Sequence, residues 1–314
     1  MTDLGVDLAG MPLANPLMTA SGCAANGREL HRFFDIATLG AFVTKSVKAA
    51  PMSGRGTPRM AETAGGMLNS IGLQGPGIDA FVATDLPWLA TVGARVLVSI
   101  AGGDSAEFAR VARTLAAAPD WGCVAGIEVN ISCPNVANRG LVFACDPGSS
   151  AEVLSAVRAV VPCGTKLFAK LSPDVTDLVP IAAAALAAGA DGLTMINTVL
   201  GMAIDTERLR PHLFGVTGGL SGPAIRPVAV RAIWQVHAAM RAGSLPEAPI
   251  IGVGGVRTGR DALELVAAGA SGIQVGTATF NDPRAPRRVL DELTALLDAR
   301  GVDRFADIVG AAHG

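Results

Sequence analysis

Eight short apolar runs in this sequence each end on glycine or on a residue that can hold a ligand. The ends read Ser21-Gly22, Lys45-Ser46, Ser99, Asn130, Lys170, Asn197-Thr198, Gly254-Gly255 and Gly276-Thr277. Two of the chain's four lysines (Lys45, Lys48, Lys166, Lys170) stand there, in a chain that otherwise prefers arginine, and so do two of its eight asparagines. A lysine places a compact point charge where a planar guanidinium does not fit, and an asparagine offers both a donor and an acceptor. The runs GVGGV (252–256) and GTA (276–278) put small residues after the last two apolar stretches. Glycines there allow backbone N–H groups to approach an anion closely. Such a grip suits flavin mononucleotide, a sugar phosphate or pyridoxal phosphate alike, and tight turn packing is the plain alternative.

Candidates for proton transfer are few. His31, His212, His237 and His313 all fall away from these ends; His31 and His237 lie in helical stretches and read as surface or packing residues. His313 is next to last, where a frayed end is the simple expectation. Carboxylates are missing from the ends too, with Glu128 inside an apolar run. Lys45, Lys170, hydroxyls and Cys133 remain. Cys133 lies in NISCPN (130–135), just past the fourth run, where a loop would overhang the site. Cys23, Cys123 and Cys163 read as buried inert thiols and Cys145 is left open. Five cysteines without a CxxC pair form neither a disulfide framework nor a zinc site.

The elements that must position these residues are legible from the apolar pattern. The runs 16–20, 42–45, 96–100, 127–131, 167–171, 193–197, 250–253 and 273–276 are nearly continuous rather than alternating, as strands buried on both faces are. Helical spacing fills 107–118, 150–160, 179–188 and 262–268. The phrases AAGADGLTMINT (187–198) and AAGASGIQVGTATF (267–280) repeat one pattern of helix, glycine stop and strand. Eight strands alternating with helices predict an α/β fold, a single (β/α)8 TIM barrel over residues 1–314, with an open doubly wound sheet as the runner-up. Active sites of such barrels form at the C-terminal strand ends, which is where the polar residues fall. The stretch 47–86, rich in Gly, Pro, Met and Ser, reads as a long loop insertion over that face. Within it Lys48 and Arg55 read as solvated, and Arg59 either fixes the loop or is solvated as well.

The chain's 314 residues, 50% apolar and 17% charged, allow an ample core. A net charge of −2 offers no footprint for nucleic acid or an acidic membrane. The longest apolar stretch, 178–190, is interrupted by Pro180 and is too short to span a bilayer. No secretory signal opens the sequence, so a cytoplasmic protein is expected.

Taken together, these segments resemble the class 1 dihydroorotate dehydrogenases along essentially the whole chain. The matching motifs are ASG (20–22), MLNSIGL (67–73), NISCPN (130–135), KLSP (170–173), MINT (195–198), TGGLSG (217–222), GVGGV (252–256) and GT (276–277). The resemblance implies a TIM-barrel enzyme of pyrimidine biosynthesis that carries FMN and oxidises dihydroorotate to orotate. It makes Cys133 the base that takes the proton from carbon 5. Lys45, Asn69, Ser70, Ile71, Gly72, Leu73, Asn130, Asn197 and Thr198 match residues that hold the substrate. Ser21, Lys45, Ser46, Ser99, Asn130, Lys170, Ile196, Gly222, Gly254, Gly255, Gly276 and Thr277 match flavin contacts, with Ser99 standing where some members place Asn. Lys170 near the flavin would stabilise the negative charge left by hydride transfer.

The branch within the family follows from smaller segments. The stretches AET (61–63), VTDLVP (175–180), ADGLT (190–194) and GLSGPA (219–224) are similar to the NAD-linked class 1B catalytic subunit, whereas TKS (44–46) and VSIAG (98–102) are closer to the fumarate-using class 1A homodimer. Class 1B is the favoured reading. It implies a homodimeric core with a partner subunit carrying FAD and a [2Fe–2S] cluster, because this chain has neither a dinucleotide fingerprint nor four clustered cysteines. A Ser-base, membrane-linked member is not expected. A sugar-phosphate lyase or isomerase on the same barrel would need a carboxylate pair or a Schiff-base lysine at the mouth; Lys170 suits the latter role, but the acids are missing and this reading stands second. A non-catalytic flavin-binding relative and a reductase of another pyrimidine complete the alternatives.

Overall fold

A computed structural model describes residues 1–132 and 143–314. Eight parallel strands form one sheet: β1 (Leu17–Thr19), β2 (Phe42–Val43), β3 (Val96–Ile100), β4 (Val124–Val129), β5 (Leu167–Lys170), β6 (Gly192–Met195), β7 (Ile250–Val253) and β8 (Gly272–Val275). Consecutive strands are neighbours from β2 to β8, and β8 pairs with β1. The Met18–Ala41 bridge brings β1 back to the start of β2 and closes the barrel. At the same seam the Thr19 hydroxyl donates to Val43 O at 3.1 Å and accepts from Val43 N at 2.8 Å. A side chain thus supplies part of the ladder where two short strands cannot.

Helices return the chain between strands: α1 (Arg28–His31), α2 (Leu86–Thr91), α3 (Ser105–Ala116), α4 (Pro147–Arg158), α5 (Val179–Ala187), α6 (Arg226–Arg241), α7 (Gly259–Ala267) and α8 (Ala285–Asp298). Their starts are chemically marked. Asp104 caps α3 through Glu107 N at 2.7 Å, Asp146 caps α4 through Ser149 N at 2.6 Å, and Thr258 with Asp261 forms a reciprocal capping box on α7. The Ser149 backbone N–H holds the Asp146 carboxyl below its usual range. The longer helices turn an apolar stripe inward. On α3 it is Phe108, Ala109, Val111, Ala112 and Leu115, at the spacing of one helical face. Burying a large apolar side chain of this kind stabilises the fold by about 1.5–3 kcal/mol.

Inside the barrel the lining changes along its axis. Met18, Ala41, Val43, Leu97, Phe168 and Ile251 form an apolar cluster, which Leu8, Met11 and Leu13 of an N-terminal hairpin (Val6–Asp7 with Pro12–Leu13) join. Further along the strands, towards their C-terminal ends, the buried residues turn polar: Ser99, Glu128, Lys170, Thr194 and Gln274. The site therefore rests on a polar floor above an apolar plug.

The 47–86 stretch departs from a simple loop. It contains a hairpin, Met60–Thr63 with Gly66–Asn69, which pairs with Gly218–Ser221; that strand pairs in turn with Val199–Gly201. This four-stranded antiparallel sheet joins the insertions that follow β2 and β6. Its partner segments are about 150 residues apart, so no local period announces it. Helical structure resumes at Ile78–Ala80 and runs on through Phe81–Asp85 into α2. Among the described residues no helix is long and apolar enough to cross a membrane.

The chain end also differs from expectation. His313 stacks on Trp234 with ring centroids 3.6 Å apart, and its Nε2 lies 3.0 Å from Ala268 O. The last residues are tied to α6 and the end of α7 and are not frayed. Cys163 is exposed rather than buried, while Cys23, Cys123 and Cys145 are partly buried.

Candidate active site

Four groups of side chains gather at the C-terminal ends of the strands. In the first, Asn130 at the end of β4 donates from Nδ2 to Ser46 Oγ at 3.1 Å, and Ser46 Oγ lies 2.9 Å from Ser99 Oγ. Asn130 Oδ1 accepts from Ser132 Oγ at 2.7 Å and from Asn197 Nδ2 at 3.4 Å; Asn197 Nδ2 also donates to Ser132 Oγ. Asn197 Oδ1 takes the Thr198 N–H at 2.9 Å. Ser46, Ser99 and Asn130 are buried, whereas Asn197 and Thr198 are partly open. Fixing both amides in this way decides which donor and which acceptor each turns to a ligand. Ile196, packed at 1% exposure between these groups, is held by its N–H to Val253 O at 2.9 Å.

The second group centres on Lys170. Its Nζ donates to Ser21 Oγ at 2.8 Å and pairs with Glu128 Oε1 at 3.3 Å, with both charged side chains buried. Gln274 Nε2 donates to the other Glu128 oxygen at 2.8 Å. Lys45 reaches the same region, its Nζ lying 3.8 Å from where a Cβ on Gly22 would stand. The Cys23 thiol is pushed up to about 11 by burial, an effect tempered by the nearby Lys170 and Lys45 charges.

The third group is a glycine cradle. Gly222, Gly254 and Gly255 have φ of 92°, 138° and 74°. A Cβ on Gly254 would lie 2.8 Å from Ala229 Cβ, and one on Gly255 2.7 Å from Arg226 Cβ. Among the described residues nothing accepts from the backbone N–H groups of Gly254, Gly255, Gly276 or Thr277. The Thr277 hydroxyl is held by Ser221 Oγ at 2.8 Å. Backbone N–H groups without an acceptor suit an anion, so the residues present fit the phosphate of a flavin, with the hydroxyl and amide groups of the first two sets suited to its ring and ribityl chain.

The fourth group is the Asn69–Leu73 turn. Asn69 Nδ2 reaches Gly219 O at 3.3 Å, and a Cβ on Gly219 would run into Thr198. Gly72 and Leu73 both take positive φ, 77° and 53°. Ser70 is buried at 8% exposure. Arg55 and Arg59 hold this turn from outside. Arg55 N donates to Ile71 O at 3.0 Å and its Nη1 to Ser70 Oγ at 3.2 Å, while Arg59 O accepts from Ser70 N at 2.7 Å. Arg59 Nη1 donates to Gln74 Oε1 at 2.6 Å. The expectation of a merely solvated Arg55 is therefore corrected, and so is that for Lys48, which pairs with Glu107 at 3.5 Å in a largely buried position.

Of the sequence candidates, only Cys133 lies outside the described residues. Ser132, Ser221, Glu128 and Gln274 are added by the structure. Ser132 stands two residues past Asn130 in the same motif and was open to notice there. Glu128 and Gln274 meet across 146 positions, a proximity only the closed barrel creates. Among the described residues no group of three His, Cys, Asp or Glu side chains is placed to hold a metal.

Comparison with known proteins agrees with this geometry. The family model described as dihydroorotate dehydrogenase matches residues 3–297. A Pelobacter propionicus protein is 48% identical over 309 residues, 98% of both chains. One from Geotalea uraniireducens is 47% identical over 311 residues, again 98% of each. A Geobacillus kaustophilus protein is 46% identical over 310 residues, 99% of this chain and 96% of its own. All three carry the name dihydroorotate dehydrogenase B (NAD(+)), catalytic subunit.

Proposed function

Because the chain belongs to the dihydroorotate dehydrogenase family, we propose that its strand ends bind FMN and dihydroorotate together, with residues 1–314 acting as one flavin-binding unit. The chain is the catalytic subunit of an NAD-linked dihydroorotate dehydrogenase: it oxidises dihydroorotate to orotate in pyrimidine biosynthesis, and electrons leave to NAD+ through a partner subunit. The observation that carries the site reading is the fixed Asn130–Ser46–Ser99–Ser132–Asn197 cluster beside Lys170 and the glycine cradle.

The substrate is a flat ring with amide edges and a carboxylate. Asn69, Asn130 and Asn197 offer its edges donors and acceptors, and Thr198 completes that side. The Ser70–Leu73 turn and the Lys45 ammonium meet the carboxylate. Cys133 takes the proton from carbon 5. When bound, FMN supplies the acceptor for the hydride that leaves as that proton is lost. Gly222, Gly254, Gly255, Gly276 and Thr277 would hold its phosphate, and Ser21, Ser46, Ser99, Asn130 and Ile196 would hold its ring and chain. Lys170, buried and paired with Glu128, would hold a positive charge beside the flavin, in a buried setting where such a charge acts most strongly. The partner carries FAD and a [2Fe–2S] cluster and docks on a homodimer of this chain.

Anaerobic addition of dihydroorotate to the purified yellow protein tests this reading. Bleaching of the flavin band in the blue is expected. A preparation that is colourless and takes up no FMN, or a band that dihydroorotate leaves intact, would overturn it.

A further inference from the structure

Glu128 has no part in the chemistry just described, yet among the described residues it is the one carboxylate buried inside the barrel, at 0% exposure. Burying a charge is costly unless every lone pair is satisfied, and an apolar replacement of similar volume often serves stability as well. Here each carboxylate oxygen has one specific partner. Oε1 pairs with Lys170 Nζ at 3.3 Å and Oε2 accepts from Gln274 Nε2 at 2.8 Å, so strands β4, β5 and β8 are joined across the barrel. A lysine ammonium has three N–H donors. Ser21 Oγ and Glu128 Oε1 take two of them. Thr194, the register neighbour of Lys170, keeps its buried hydroxyl oxygen unpartnered and Gln274 does the same with Oε1, so neither takes the third.

We propose that Glu128 is a positioning residue acting through Lys170. It anchors the ammonium from below, so that the remaining N–H is left for the flavin, and its negative charge offsets part of the field the lysine exerts there. The proposal rests on the reading of Lys170 as a flavin neighbour. It also has a purpose within that reading. Electrons bound for NAD+, a weak acceptor, must not be held too firmly on the flavin, and an uncompensated ammonium beneath it would hold them. Two charges a few ångströms apart in a protein interior interact strongly enough to matter.

The test is the reduction potential of the bound flavin, titrated against a reference dye in wild-type protein, Glu128→Gln, Lys170→Gln and the double variant. Glu128→Gln should favour the reduced flavin by roughly tenfold, about 30 mV for a two-electron couple, and Lys170→Gln should shift it the other way. Glu128→Asp, which restores the charge, should return towards wild type. An unchanged or lowered potential in Glu128→Gln overturns the proposal. If that variant does not fold because Lys170 is left unpaired, the double variant decides, since both charges are then gone: a potential above that of Lys170→Gln supports the role, and an equal one overturns it. A Lys170→Gln potential equal to wild type removes Lys170 from the flavin and the proposal with it. Failure of dihydroorotate to bleach the wild-type flavin, with the potential shifts intact, would instead count against the substrate and support the role of Glu128.

Discussion

Cys23 and Cys133 make a contrast at the level of single thiols. Cys23 lies near the Lys170 and Lys45 charges, which favour a thiolate, yet burial outweighs them and pushes its pKa up to about 11. It stays a protonated thiol and is unsuited to remove a proton. Because its folded pKa exceeds the ordinary value of 9.0, its contribution to stability is full below about pH 9 and is lost as pH rises towards 11. Denaturant midpoints of wild type should therefore fall more steeply than those of Cys23→Ser across that window; parallel curves would contradict the assignment. For Cys133 the expectation is catalytic. Cys133→Ala should keep its yellow colour but lose flavin reduction by roughly 10²–10⁴-fold, the usual worth of a general base, and Cys133→Ser should lose less. An unperturbed thiol is mostly protonated at neutral pH, so wild-type reduction should quicken as pH rises. Stopped-flow bleaching measures all three, and a wild-type rate in Cys133→Ala would remove this residue from the mechanism. Lys170 and Asn130, at the ends of their strands, were legible in the sequence. The link from Lys170 to Glu128 was not, because the pair meets across 42 positions.

The turn that carries Asn69 to Leu73 is built by elements rather than by its own residues. Its hairpin pairs with Gly218–Ser221, and the Arg55 and Arg59 side chains fix its outer side. Arg59→Ala would remove the bonds to Gln74 Oε1 and Ser53 O while leaving the flavin cradle untouched. A turn free to sample other shapes pays an ordering cost each time substrate binds. The KM for dihydroorotate should rise about tenfold, with flavin content unchanged and a smaller effect on kcat; steady-state kinetics on the flavin-loaded variant checks this, and an unaltered KM would deny the strap its role. Elements were readable where burial alone dictates sequence. Val96–Ile100 and Ile250–Val253 are nearly continuous apolar runs, and the strands fall on them without shift. The Met60–Asn69 hairpin escaped because its residues are mostly small or exposed, and its partner strand comes from the insertion after β6.

The whole barrel has a direction: an apolar plug at one end, a polar floor above it, and the candidate ligand-holding groups at the other end. That gradient explains why a single chain can oxidise a polar substrate on a stable apolar core. It does not explain how electrons reach NAD+. The sequence holds no dinucleotide fingerprint, since the glycines at 252–255 have the wrong spacing and serve the cradle. Its five cysteines lack the clustered spacing an iron–sulfur centre needs. The relatives, moreover, are named as catalytic subunits. Two half-reactions are then divided between two polypeptides, and they should separate in the laboratory. The isolated chain, mixed anaerobically with dihydroorotate and NAD+, should bleach its flavin once and form almost no NADH. Co-expression with the electron-transfer subunit should restore continuous NADH formation, accompanied by FAD and iron in the purified complex. Multiple turnovers of NAD+ by the lone chain would refute this division, and sustained fumarate reduction in its place would move the protein to the fumarate-using branch.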